Sequence, residues 1–147
     1  MLNLSKFAER LSWLMFENNL SAVEFTSKLN CGHTTINRYL KGNRLPKTDL
    51  VVKMADYFHC TTDYLLGIDE ESYCSAFVPC PPFHEHFKSV LEKRKITAQG
   101  LHELTQIPLS AIYYWLGGNY LPTIDKIVTI AEKLNCSVDY LLGRTKS

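Results

Sequence analysis

The chain has 147 residues, an apolar share of 46% and seven Phe, eight Tyr and two Trp, a composition that builds a packed core and excludes disorder as the general state. A formal net charge of +1 permits a polyanionic partner if the basic residues cluster, and does not by itself argue for one. No run of 18 apolar residues is present and the start, Met1-Leu2-Asn3-Leu4-Ser5-Lys6, lacks the order of a secretory signal, so the expected compartment is the cytoplasm, with no membrane segment. Cys31, Cys60 and Cys136 fall among apolar helical positions, as reduced thiols do.

The predicted elements run in chain order as follows. Phe7, Leu11 and Leu14, at i, i+4 and i+7, give an amphipathic first helix. Ser21 followed by Glu24 is a capping box that starts a short second helix, ending near Leu29. After a tight turn at Asn30 to Gly32 a third helix carries Ile36 and Tyr39 and stops at Gly42. Pro46 separates it from a fourth helix through Val52 and Ala55, and a fifth starts at Thr61 and closes at Gly67.

The whole series then repeats. Asp63-Tyr64-Leu65-Leu66-Gly67 recurs as Asp139-Tyr140-Leu141-Leu142-Gly143, a shift of 76 positions, and the same ungapped shift pairs Ile36 with Ile112, Gly42-Asn43 with Gly118-Asn119, Leu45-Pro46 with Leu121-Pro122, and Cys60 with Cys136. Phe83, Phe87 and Val90 open the second series, Thr97 heads its second helix, and Ile112 and Trp115 mark its third. The expected organisation is an all-α chain of two five-helix domains, 1–67 and 83–147. They are joined by a linker at 68–82 that is acidic and then rich in Pro at Pro79, Pro81 and Pro82. Each domain carries eight Lys/Arg against six Asp/Glu, so each is slightly basic and the linker masks it.

Leu20-Ser21, Phe25, Leu29, Thr35-Ile36, Tyr39, Gly42, Pro46 and the closing Asp63 to Gly67, with Ile96-Thr97, Leu101, Ala111-Ile112, Trp115, Gly118, Pro122 and Asp139 to Gly143, give the chain its family likeness. Through them it resembles, twice over, the lambda-repressor-like helix-turn-helix domains of phage repressors, Cro proteins and xenobiotic-response-element regulators. That resemblance implies a sequence-specific transcription regulator, a repressor that occupies an operator on double-stranded DNA, with the third helix in the major groove. Carried over by position, His33, Thr34, Asn37 and Arg38 face the bases, and Lys41, Asn43 and Arg44 meet phosphates. In the second copy the same face reads Leu109, Ser110, Tyr113 and Tyr114, which suits DNA or a partner protein equally. The first copy is therefore the expected main reader.

Several positions depart from the family. Ala22 and Ala98 stand where members commonly place a Gln that contacts phosphate. Met15 with Leu40, and Leu91 with Leu116, stand where members pair an Arg with a Glu, so packed apolar pairs are expected there. Trp13 and Phe16 lie on the usually polar side of the first helix and mark an interface with the second copy or with another subunit, the alternative being ordinary packing under the linker; a homodimer is expected through this surface or through the second domain. Lys93-Arg94-Lys95, at the end of the first helix of the second copy, is expected to meet the last helix carbonyls or to be solvated, with a phosphate contact the lesser alternative.

Cys74, Cys80, His84 and His86 are zinc-ligand types, but without the short Cys-x-x-Cys spacing they read as chance members of a linker, and no metal or cofactor is expected. No nucleophile-base pattern or phosphate loop is present, so no enzyme is expected. The rival class is a protein-interaction module on a degenerate helix-turn-helix scaffold, an antitoxin-like or phage-encoded inhibitor.

Overall fold

In the computed structural model, which describes residues 2–31, 33–70 and 77–145 with the backbone alone at 33–35, the predicted periodicities become helices. Phe7, Leu11 and Leu14 line the buried side of α1 (Leu4–Glu17), whose first turn is capped by the Asn3 side chain accepting from the N–H groups of Ser5 and Lys6. Ser21 caps α2 (Ala22–Leu29) by accepting from the Glu24 N–H at 3.1 Å. Then come α3 (His33–Leu40), α4 (Thr48–Phe58) and α5 (Thr62–Leu65), the last capped by Thr61. Phe7, Leu11, Phe25, Ile36, Val51, Met54 and Leu65 form the centre of their core.

A second set follows: α6 (Phe83–Lys93), α7 (Ala98–Thr105), α8 (Leu109–Leu116), α9 (Ile124–Leu134) and α10 (Val138–Leu142). Its core holds Phe87, Leu101, Ile112, Ile127, Ile130 and Leu141. The described residues contain no strand, and the chain divides into two compact units, Met1–Cys74 and Ser75–Ser147.

The backbone repeats at the shift seen in the sequence. Both ends of α2, α3 and α4 reappear 76 residues later as the ends of α7, α8 and α9. Every residue with positive φ among those described also has its counterpart at that distance: Asn19 and Lys95, Asn30 and Gln106, Gly42 and Gly118, His59 and Asn135, Gly67 and Gly143. A left-handed residue other than Gly costs about 1–2 kcal/mol, so its recurrence under different side chains shows that the helix-end geometry dictates it. The opening helices differ. α6 begins three positions later in register than α1 because Pro81 and Pro82 each disfavour the helical conformation in the residue before, leaving Pro82 to precede its first turn.

In both units the first helix packs on the third. Met15 and Leu91 are buried and Leu40 and Leu116 half-buried, so neither apolar pair faces open water. In the basic cluster Lys93 and Lys95 are exposed, and Arg94 alone departs from expectation. Arg94 donates to the carbonyl of Leu134 at 2.5 Å, capping the end of α9 instead of its own helix.

The stretch read as linker is bonded at both ends. Ile68 and Asp69 donate to the Asp63 carbonyl, and Arg10 reaches the carbonyls of Tyr64 and Asp69 and the carboxylate of Glu70. In the other unit Val78 donates to the Arg144 carbonyl at 2.9 Å, and the Arg144 guanidinium lies 4.1 Å from the centre of the Phe77 ring. That guanidinium also pairs with Asp139 at 2.5 Å, and both side chains are buried.

Candidate nucleic-acid interface

The turn between α2 and α3 is set locally. Asn30 takes the left-handed conformation at φ 56° and Cys31 donates back to the Thr26 carbonyl at 3.1 Å, and α3 opens at His33. Burial pushes the Cys31 thiol above its ordinary range, opposed by its own backbone N–H and by the charge of Lys53. Ile36 and Tyr39 anchor α3 in the core, Tyr39 meeting Phe7 edge-on at 6.4 Å, and burial raises the Tyr39 hydroxyl as well.

Anchoring on Ile36 and Tyr39 fixes the phase of the helix. Asn37, Arg38 and Lys41 project from the other side and are exposed, as are Asn43 and Arg44 just beyond Gly42. Of the first-copy candidates, these five are therefore accessible on and after one helix. His33 and Thr34 head α3, and their side chains lie outside the described residues.

Sequence reasoning missed three more exposed cations of this stretch, Lys28, Lys47 and Lys53. With Arg38, Lys41 and Arg44 they make six Lys/Arg against the single acid Asp49 between residues 26 and 53. The net charge of the whole chain conceals this concentration, which is the electrostatic footprint that a polyanion requires.

In unit 2 the same geometry carries different chemistry. His102 pins the turn before α8 through a 2.6 Å contact with the Ile107 carbonyl, and Ile112 and Trp115 are buried. Ser110, Tyr113 and Tyr114 are exposed and Leu109 is half-buried. Tyr120 and Leu121, which sequence reasoning did not single out, are exposed too, and the Tyr120 ring lies 5.8 Å from that of Tyr114.

Trp13 and Phe16 stack with ring centres 6.2 Å apart and are exposed. With Ala8, Glu9, Ser12 and Leu40 they line an open cleft of about 500 Å³ between α1 and α3. Of the four zinc-ligand types, Cys74 lies outside the described residues and Cys80 is exposed. His86 is held against the Tyr140 carbonyl at 2.7 Å, the place that Arg10 takes against Tyr64 in unit 1. Among the described residues no three His, Cys, Asp or Glu side chains converge as metal ligands.

Residues 13–65 match the helix-turn-helix family, which places a helix-turn-helix domain in unit 1. The chain is also similar to the "HTH-type transcriptional regulator ImmR" of Bacillus subtilis (strain 168), at 41% identity over 49 residues, 33% of this chain. The matched part spans 39% of that relative's length. No solved structure matches the chain. Among the described residues no helix is long and apolar enough to cross a membrane.

Proposed function

We propose that the chain is a cytoplasmic, sequence-specific DNA-binding transcription regulator, a repressor that occupies its operator. It is built from two tandem lambda-repressor-like domains, of which the first is the main reader. One observation carries this reading: the segment that matches the helix-turn-helix family contains the exposed basic stretch, with Asn37, Arg38 and Lys41 on the solvent side of α3. Arg38 has the fork that guanine O6 and N7 accept, and Asn37 the amide that adenine accepts. His33 and Thr34, at the head of the same helix, remain candidates by their position in the sequence. Lys41, Asn43 and Arg44 follow it in the chain and suit phosphates, which position the protein without choosing sequence. The half-buried Ala22 leaves the family's glutamine contact unmade, so the basic residues carry more of the anchoring. The uncharged face of α8 favours the rival reading, a protein-interaction module, for unit 2 alone.

Selection from random duplexes at stated salt, followed by binding measurements on variants, tests the proposal. Arg38→Ala is expected to cost about 1–3 kcal/mol and relax base choice at one position, whereas Lys41→Ala weakens all sequences alike and lowers the salt slope by about one. Tyr114→Ala should cost less than Arg38→Ala. Unchanged binding in Arg38→Ala with loss in Tyr114→Ala reverses the division of labour between the units. If no duplex is selected, or neither variant matters, the interaction module replaces the regulator.

A further inference from the structure

The shift of 76 residues allows the two third-helix regions to be compared charge by charge. Lys28, Arg38, Lys41, Arg44, Lys47 and Lys53 correspond to Leu104, Tyr114, Gly117, Tyr120, Thr123 and Thr129. Not one cation survives. Residues 26–53 hold six Lys/Arg and one Asp/Glu, while residues 102–129 hold one Lys/Arg and two Asp/Glu, although both ends of each helix in the stretch coincide in register. The scaffold has been kept and its affinity for phosphate removed.

Aromatic surface stands in place of the charge. Tyr113, Tyr114, Tyr120 and Leu121 are between 46% and 57% exposed, and Tyr114 and Tyr120 pack on one another without being covered. Exposed aromatic rings would also suit unpaired bases, but single-stranded nucleic acid needs a cationic groove to hold its backbone, and this stretch is net acidic. Tyrosine is a residue of protein interfaces, where its ring is covered and its hydroxyl stays at the rim.

We infer that this face of unit 2, centred on Tyr113, Tyr114 and Tyr120, is where two copies of the chain pair, around a two-fold axis that sets the same patch against itself. The assignment rests on the reading of unit 1 as the DNA reader. Charge selects the occupant. A two-fold contact brings every residue close to its own copy or its neighbour's, and a surface of tyrosine, leucine, serine, asparagine and glycine meets itself without repulsion, whereas the basic stretch of unit 1 would repel its copy. Size agrees. With about 200 Å² for a whole tyrosine side chain, the three rings and Leu121 expose about 400 Å², so two copies bury about 800 Å². The exposed Ser110, Gly117, Gly118 and Asn119 beside them bring the total to the threshold of about 1,000 Å² for a specific interface. An interface of that area gives a reversible dimer, not an obligate one. Two chains would then present two copies of Arg38 to two half-sites, and DNA would strengthen the pairing through effective concentration.

The test is sedimentation of the full chain without DNA, over about 1–200 μM, the range expected for a reversible dimer. The wild type should show a monomer–dimer equilibrium. Tyr114→Arg with Tyr120→Arg, which restores the two arginines of unit 1, should weaken it by about thirty-fold or more, as loss of central aromatic anchors does. Tyr113→Ser should weaken it without adding charge, and circular dichroism confirms that each variant is folded. Arg38→Ala, and Trp13→Ser with Phe16→Ser, should leave it unchanged. A monomeric wild type, a dimer that survives the double arginine variant, or a dimer dissociated by the Trp13 and Phe16 changes overturns the inference. If the dimer behaves as expected but no duplex is selected, the pairing stands and the reading of unit 1 falls. If a duplex is selected by a chain that stays monomeric, the reverse holds.

Discussion

Replacing Arg144 with methionine removes the cation that faces Asp139 at 2.5 Å in the interior of unit 2, and leaves a side chain of similar length to fill the space beneath Phe77. Both partners are almost wholly buried, so the pair is neither screened by salt nor replaced by water. Breaking a buried ion pair on one side costs about 3–5 kcal/mol, and the lost contact with the Phe77 ring adds to that. A domain of this size is stable by about 4–10 kcal/mol, so the change removes a large part of the total. Trp115 is buried in unit 2 and Trp13, the second tryptophan of the chain, is exposed in unit 1. In a Trp13→Phe background, urea unfolding followed by fluorescence therefore reports unit 2 alone. With an m value of about 1 kcal/mol/M, the midpoint should fall by about 3 M or more, or the folded baseline should vanish. Adding Asp139→Asn removes the second charge and should recover most of the loss. A fall below about 1 kcal/mol, the value of an exposed pair, would refute the reasoning.

Gly67→Ala should destabilise unit 1 by about 3 kcal/mol in thermal unfolding, because the new Cβ would sit 2.8 Å from that of Lys6 at φ +77°. Gly42→Ala, where the nearest atoms are 3.8 Å away, should show only the left-handed strain of about 1 kcal/mol. In thiol labelling followed by peptide mapping, exposed Cys80 should react before Cys31 and Cys60. Burial raises the Cys31 thiol, so at neutral pH less thiolate forms there, and its labelling should climb as the pH is raised. Equal rates at Cys31 and Cys80 would contradict the burial of that turn. Ser21→Ala and Thr97→Ala each remove a side-chain cap and should cost about 1 kcal/mol in their own units.

Much of the helical architecture was legible because it depends on neighbours in sequence. Apolar spacing placed the helices, Ser21, Thr61 and Thr97 announced their starts, and Gly42, Gly67, Gly118 and Gly143 their ends. The left-handed Asn30, His59, Lys95, Gln106 and Asn135 were not legible, since only the path of the next helix requires that conformation. Arg144 follows a closing glycine, where an arginine usually points into water. Its burial depends on Asp139 and on Phe77, a residue assigned to the linker. At the site, Ile36 and Tyr39 fixed the phase of α3 and so brought Asn37, Arg38 and Lys41 outward as expected. The contrast between the α3 and α8 faces was legible, but the further cations Lys28, Lys47 and Lys53 escaped because chain-wide charge averages over them, and Tyr120 escaped because it lies past the helix. His86 looked like a ligand by type, and only the fold brings the Tyr140 carbonyl to its ring.

The bonded ends of the connecting segment bear on how the protein can be divided. A fragment that stops at Gly67 would take Asp69 and Glu70 away from Arg10, and one that starts at Phe83 would strip Phe77 and Val78 from Arg144. Scission between Glu70 and Phe77 spares both sets of bonds, so a cut there leaves each unit holding its own end of the segment.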